Sequence, residues 1–171
     1  LYAAYWDEEE MMTFVESLFV RLAREVTHGK EFSYDGKEIK WKTPFARVRF
    51  KDVLGRYATI ADYDKEIPQT LSVRARQLGI ETSPGESKGK IADEIYKKIC
   101  RPYLWQPTFV IHHPVDISPL AKKRDDNKEE TRRFQMIAGG MELVNGFAEL
   151  NDPIDQRERF TEQEKIRSGG D

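Results

Sequence analysis

The sequence holds a single cysteine, Cys100, so no disulfide framework can brace the chain, and a reducing compartment is expected. It lacks any apolar run near the ~20 residues that a membrane-spanning helix needs, and no signal peptide opens it. It also lacks a strong charge of either sign: the net charge is −2, which excludes a global basic field of the kind that holds DNA. Glycines are not spaced as GxGxxG or GxxxxGK[ST], so neither common phosphate-cradling loop is present. There is no GxSxG nucleophile elbow, and Cys100 has no catalytic histidine arrangement around it. Two of the three histidines, His112 and His113, are adjacent. On a strand they point to opposite faces, so only one can serve a given site and a zinc centre is not expected. These absences leave a soluble, cytoplasmic protein without a membrane or DNA partner.

What is present suits one domain. Apolar residues make up 39% of 171, enough for one core, and charged residues make up 34%, enough to solvate its surface. Residues 1–6 (LYAAYW) read as a strand. Acidic residues 7–10 then open a helix at the end where the dipole favours negative charge. In it Met11, Phe14, Val15, Leu18, Phe19, Leu22 and Val26 recur at helical spacing as a core stripe, and Gly29 ends it. Asp35-Gly36 marks a tight hairpin within residues 32–41. A strand over 45–50 follows, with Arg47 and Arg49 on its solvated face, and then a short helix over 51–57.

Residues 61–105 change character. Pro68, Pro84 and Gly85 punctuate two helical patterns, one with Leu71, Ala75 and Leu78, the other a stripe of Ile91, Ile95 and Ile99. This reads as a small helical insertion between sheet segments. The strand TFVIH (108–112) follows, with Pro119 marking a strand end or edge. Residues 122–133, rich in both charges, read as a solvated loop. FQMI (134–137), the turn Ala138-Gly139-Gly140 and residues 141–150 form a hairpin. Asp152 and Pro153 then start a helix that carries Ile154, Phe160 and Ile166 on one face and Gln156, Arg157, Arg159 and Glu162 on the other. The sum is an α+β fold, a largely antiparallel sheet flanked by helices.

The chemistry concentrates in the second strand of that hairpin. Asn145, Phe147 and Glu149 lie at i, i+2 and i+4 and share one face of an extended chain, while Gly146 and Ala148 point the other way and leave room behind. Carboxylate, ring and amide in a row suit a small cationic ligand, through charge-assisted hydrogen bonds and a cation–π face. An ordinary exposed strand face also carries Asn and Glu, and the pattern alone leaves both readings open.

Two segments carry a resemblance. PTFVIHHPVDISPLAKK (107–123), followed by GGMELVNGFAELNDPIDQRERFTEQ (139–163), resembles the catalytic domain of class II lysyl-tRNA synthetases, with their SPLAK and ELNDP signatures. The opening LYAAYWD is similar to the segment after the family's second motif. The resemblance runs nearly end to end and implies a partial class II catalytic domain over 1–171, with the helical insertion at 61–105 inside it.

The resemblance also implies a reaction: activation of lysine with ATP and Mg2+ to lysyl-adenylate, then transfer to tRNA(Lys) by a homodimeric parent. Its lysine-binding positions match Tyr2, Asn145, Phe147 and Glu149. Glu149 would take an amine of lysine with help from Tyr2, Phe147 would wall the aliphatic stem, and Asn145 would position lysine or nucleotide. Of two carboxylates that hold the family's metal, one matches Glu142 and the other matches Gln135, an amide and a weaker ligand for a hard cation. Glu142 is also an odd step from Asn145, so sharing a face requires a bulge or strong twist between them.

The family's dimer-building motif and its two ATP-handling motifs have no match here. With a start at Leu1 and an end at Ser168-Gly169-Gly170-Asp171, this suggests a piece of a longer protein that is inactive alone. Two other readings are a noncatalytic module that binds lysine or a partner, and a synthetase paralogue that lysylates a protein.

Overall fold

The computed structural model describes residues 1–168, omitting the side chains of Glu162 and residues 165–168; Glu162, Ile166 and the terminal Gly169-Gly170-Asp171 thus lie outside the described residues. Helix α1 (Glu8–Thr27) begins at a reciprocal cap: the Glu10 amide donates to Asp7 Oδ1 (2.9 Å) and the Asp7 amide to Glu10 Oε2 (2.8 Å). It ends where His28 and Gly29 turn left-handed (φ 53° and 77°). The hairpin of β1 (Ser33–Tyr34) and β2 (Lys37–Glu38) turns through Asp35 and Gly36, both at positive φ as a primed turn requires.

The central sheet has the order β3-β4-β5-β6. Its strands are β3 (Ala46–Arg49), β4 (Thr108–Ile111), β5 (Arg133–Ala138) and β6 (Met141–Phe147). Only β3 and β4 run parallel; the other pairs are antiparallel. A parallel pair needs a long crossover, here made by α2 (Phe50–Ala58), α3 (Pro68–Gln77) and α4 (Lys88–Ile95), the last prolonged by a π-helical turn at Tyr96–Cys100.

The period of two along the strands sorts the core onto both sheet faces. Phe109, Phe134 and Met136 meet Met12 and Val15 of α1 on one side. Val110 and Ile137 meet Phe50, Leu54, Leu71, Ile91, Ile95 and Tyr96 on the other, so residues 61–105 share a continuous core with the sheet. Burial pushes the Cys100 thiol up to about 12, which leaves it an inert core residue. Among the described residues no helix is long and apolar enough to cross a membrane.

Four expectations are corrected. Residues 1–6 form no strand: none of the sheet strands pairs with them, and Tyr5 sits at φ 66°. Of the α1 stripe, Val15 is buried and Met11, Phe14 and Phe19 pack against the core, whereas Leu18, Leu22 and Val26 are exposed.

Residues 122–133 are solvated only at their tip, where Asp125, Asp126, Lys128 and Glu129 are exposed. Thr131 and Glu130 are buried, Arg132 pairs with Glu8 (2.7 Å), Lys123 with Asp155 (3.0 Å), and Arg124 contacts the His112 imidazole. Opposite charges across the fold order this segment. Helix α5 (Pro153–Ser168) docks through its polar side. Arg159 is 8% exposed, forks onto Asp155 (2.7 Å) and donates to the carbonyls of Ser118, Pro119 and Ala121, whereas Ile154 and Phe160 face solvent.

Candidate functional site

The site is built on the β5–β6 hairpin. Its turn needs Gly139 and Gly140 at positive φ, and a Cβ on Gly140 would stand 3.2 Å from the Pro102 Cα. Their amides donate to the carbonyls of Trp105 and Leu104, which ties the turn to the end of the helical segment.

Pairing runs Arg133↔Phe147, Gln135↔Asn145 and Met136↔Val144, then shifts so that Ile137 faces Glu142. Leu143 is thus the extra residue of a β-bulge. The bulge absorbs the odd step, and Glu142 joins Asn145 on the Gln135 side of the strand pair. The Gln135 amide donates from Nε2 to Glu142 Oε2 at 2.9 Å.

Asn145, Phe147, Glu149 and Tyr2 line one cleft of about 390 Å3 between β6 and the first turn of α1. The structure thus brings together all four residues matched to lysine binding, although Tyr2 lies on an unpaired segment and is 86% exposed. Asn145 is held by the guanidinium of Arg133, whose Nε donates to its Oδ1 (3.1 Å) while Nη1 donates to the Ile117 carbonyl (2.8 Å) and Ser118 Oγ (3.0 Å). Burial lowers the pKa of Arg133 from its ordinary value.

Strand β6 ends at Phe147; Glu149 lies beyond it, in an isolated bridge with Ala121. The space left by Gly146 is filled by the Phe134 ring, which lines the same cleft and which a Cβ there would approach to 2.5 Å.

The electrostatics of the cleft are one-sided. Asp7, Glu8 and Glu149 contribute carboxylates to its lining, and no lysine or arginine does. Asp7 is used by the α1 cap, and Glu8 by Arg132. Among the described residues nothing engages the Glu149 carboxylate by hydrogen bond or ion pair, so it is the free negative charge of the cleft.

Glu142 and Gln135 do not line this cleft, and they fit a two-carboxylate metal site poorly. One is an amide whose donor side faces the other, and no cluster of three or more His, Cys, Asp or Glu suited to a metal occurs among the described residues. The histidines separate as expected. His113 is fully buried against Phe50 and Tyr96, and burial holds its pKa down at about 3. His112 lies on the other side, beside Arg124 and Glu130.

A larger cavity, about 740 Å3, lies elsewhere, among Tyr63, Lys88, Asp116 and Arg159. Its polar walls satisfy one another: Lys88 sits 4.3 Å from the Tyr63 ring centroid, Asp116 accepts from the Gly89 amide, and Arg159 is spent on Asp155. None of the sequence-predicted residues lines it.

Sequence reasoning missed Arg133 and Arg132, which orient the row and neutralise Glu8. They sit at the end of a mixed-charge run, and only their position at the start of FQMI, opposite the row, signals a role.

The comparisons with known proteins agree with one another. Residues 1–168 match the family described as tRNA synthetases class II (D, K and N). A "Lysine--tRNA ligase" of Thermoanaerobacter sp. (strain X514) is 40% identical over the whole chain, which covers 34% of that protein. Proteins of the same name from Moorella thermoacetica and Porphyromonas gingivalis are 39% and 38% identical, again over the whole chain, which covers 35% and 29% of them. The chain therefore spans about a third of the length of the curated relatives it matches.

Proposed function

Since the chain belongs to the class II tRNA synthetases of the D, K and N group, we propose that it is the lysine-recognising part of a lysine–tRNA ligase. The observation that carries this reading is the free Glu149 carboxylate in a cleft whose lining has no basic residue. Aspartate, the acidic alternative in the group's description, needs a cation in that place; lysine needs the carboxylate and an apolar wall for its stem. Glu149 accepts from the ε-ammonium, the Phe147 ring packs along the methylenes, and the exposed Tyr2 closes over the amine. Asn145, oriented by Arg133, positions the α-amino acid end. The names of the relatives support the same amino acid.

In the parent reaction the lysine carboxylate attacks the α-phosphorus of ATP. The bond to pyrophosphate breaks, lysyl-adenylate forms, and a terminal hydroxyl of tRNA(Lys) then takes the lysyl group and releases AMP. The role of this chain is to hold lysine so that its carboxylate is presented for attack, which is catalysis by positioning. Stabilisation of the charged phosphate needs cationic donors; by the resemblance these belong to motifs not found in residues 1–171, so the chain alone binds lysine without turnover. A cytoplasmic, homodimeric parent belongs to the same reading.

Calorimetric titration of the chain with lysine tests it. A charge-assisted hydrogen bond is worth about 2 kcal/mol, so Glu149→Gln is expected to weaken lysine binding roughly 30-fold. Equal binding by wild type and Glu149→Gln, or preference for aspartate or asparagine over lysine, sinks the reading.

A further inference from the structure

We propose that Gln135 and Glu142 form a metal-free clasp, in which the amide N–H2 of Gln135 takes the place of a divalent cation as the partner that orients the Glu142 carboxylate. The proposal uses the hairpin of the lysine reading but concerns a different pair of side chains. The two are neighbours across the β5–β6 pair because the bulge at Leu143 brings Glu142 round to the Gln135 side. Gln135 is 3% exposed, so its amide is fixed in the core, while Glu142 is exposed at the rim.

The orientation of the amide follows from charge. Nε2 donates to Glu142 Oε2 at 2.9 Å, and the other end, Oε1, is buried with no partner. The reverse orientation would set two acceptors against each other, which is repulsive without a cation between them. The nearby Tyr96 hydroxyl, which feels the Glu142 charge, is also buried and bonds to neither side chain of the pair, so the amide is the group that engages Glu142.

A hard divalent cation needs oxygen ligands and gains affinity with each carboxylate. Here the pair carries one negative charge instead of two and presents a donor toward its only carboxylate. The amide supplies what a cation would supply, a fixed positive end for Glu142, without dehydrating an ion. Exchange of one atom, Gln135→Glu, is expected to convert the clasp into a divalent site.

Binding of Mn2+ alone, followed by the electron paramagnetic resonance of the free ion, tests this. Wild type and Glu142→Gln are expected to bind equal amounts, since all Mn2+ they hold lies on other surface carboxylates. Gln135→Glu is expected to gain one site, on the order of 10-fold tighter than those background sites, and to lose it again in the double variant with Glu142→Gln.

If wild type binds one Mn2+ more than Glu142→Gln, the pair holds metal and the clasp is refuted. If folded Gln135→Glu gains no site, the amide does not stand where a cation would, and the proposal also fails. Should Gln135→Glu not fold, the comparison of wild type with Glu142→Gln still decides. Lysine titration, read separately through Glu149→Gln, reports on the function above and not on the clasp.

Discussion

Strands β4 and β6 flank β5 on its two sides and are used in opposite ways. Strand β4 is the run TFVI, apolar after Thr108, and its first three residues are buried. Strand β6 alternates: Glu142, Asn145 and Phe147 are exposed, while Val144 and Gly146 are half-buried against α1 and Phe134. A strand covered on both faces can only stabilise. A strand covered on one face is free to carry polar groups at every second position. Stability therefore resides in β4 and β5, and the proposed recognition of lysine draws on the exposed residues of β6.

The pair Phe109→Ala and Phe147→Ala tests that division most strongly. Phe109 is fully buried between Phe45 and Phe134, and its truncation should cost about 3–5 kcal/mol in urea unfolding. Phe147 is 39% exposed, and its truncation should cost less than about 1 kcal/mol while weakening lysine binding. Equal losses of stability from the two would erase the distinction.

The next effect sharpens the buried side. His113 is held neutral with a folded pKa of about 3, against about 6.5 when unfolded. The unfolded chain therefore binds the extra proton first. Stability is unaffected above pH ~6.5 and falls as pH drops from there toward 3, by about 3 kcal/mol at pH 4. Unfolding midpoints measured across that window should show the fall in wild type, and a shallower fall in His113→Phe.

The smallest effect lies where the two sides meet. Gly146→Ala places a methyl 2.5 Å from the Phe134 ring, which is 1% exposed and has little room to move. A loss of about 1–3 kcal/mol is expected from overpacking, read as a lower thermal midpoint. An unchanged midpoint would show that the ring can shift and that the two sides are less tightly joined.

Much of the architecture was legible in the chain. The Asp35-Gly36 turn, the start of α1 at the acidic run, the β5–β6 hairpin and the Asp152 cap all rest on signals between near neighbours. The Asp152 carboxylate accepts from the Ile154 amide at 2.9 Å, as a cap should. The failures share a cause. Residues 1–6 have strand-like composition, but a strand exists only with a partner, and composition does not say whether one is adjacent. The charged run at 122–133 looked solvated, and the polar side of α5 gave no sign of docking, because their partners, the Glu8 carboxylate for Arg132 and the 118–121 carbonyls for Arg159, lie far away in sequence.

The site divides in the same way. The row Asn145, Phe147 and Glu149 could be read from a period of two, and the resemblance in ELNDP pointed to lysine. The odd spacing of Glu142 required a bulge or twist without saying where. By itself, then, the sequence determined which residue types are available and which of them share a strand face, because those follow from backbone periodicity. Only the tertiary structure decided which charges are free. It pairs Glu8 with Arg132, Glu142 with Gln135 and Asp155 with Lys123, and leaves Glu149 unengaged. Whether a carboxylate is spent or available depends on neighbours that folding brings from elsewhere in the chain.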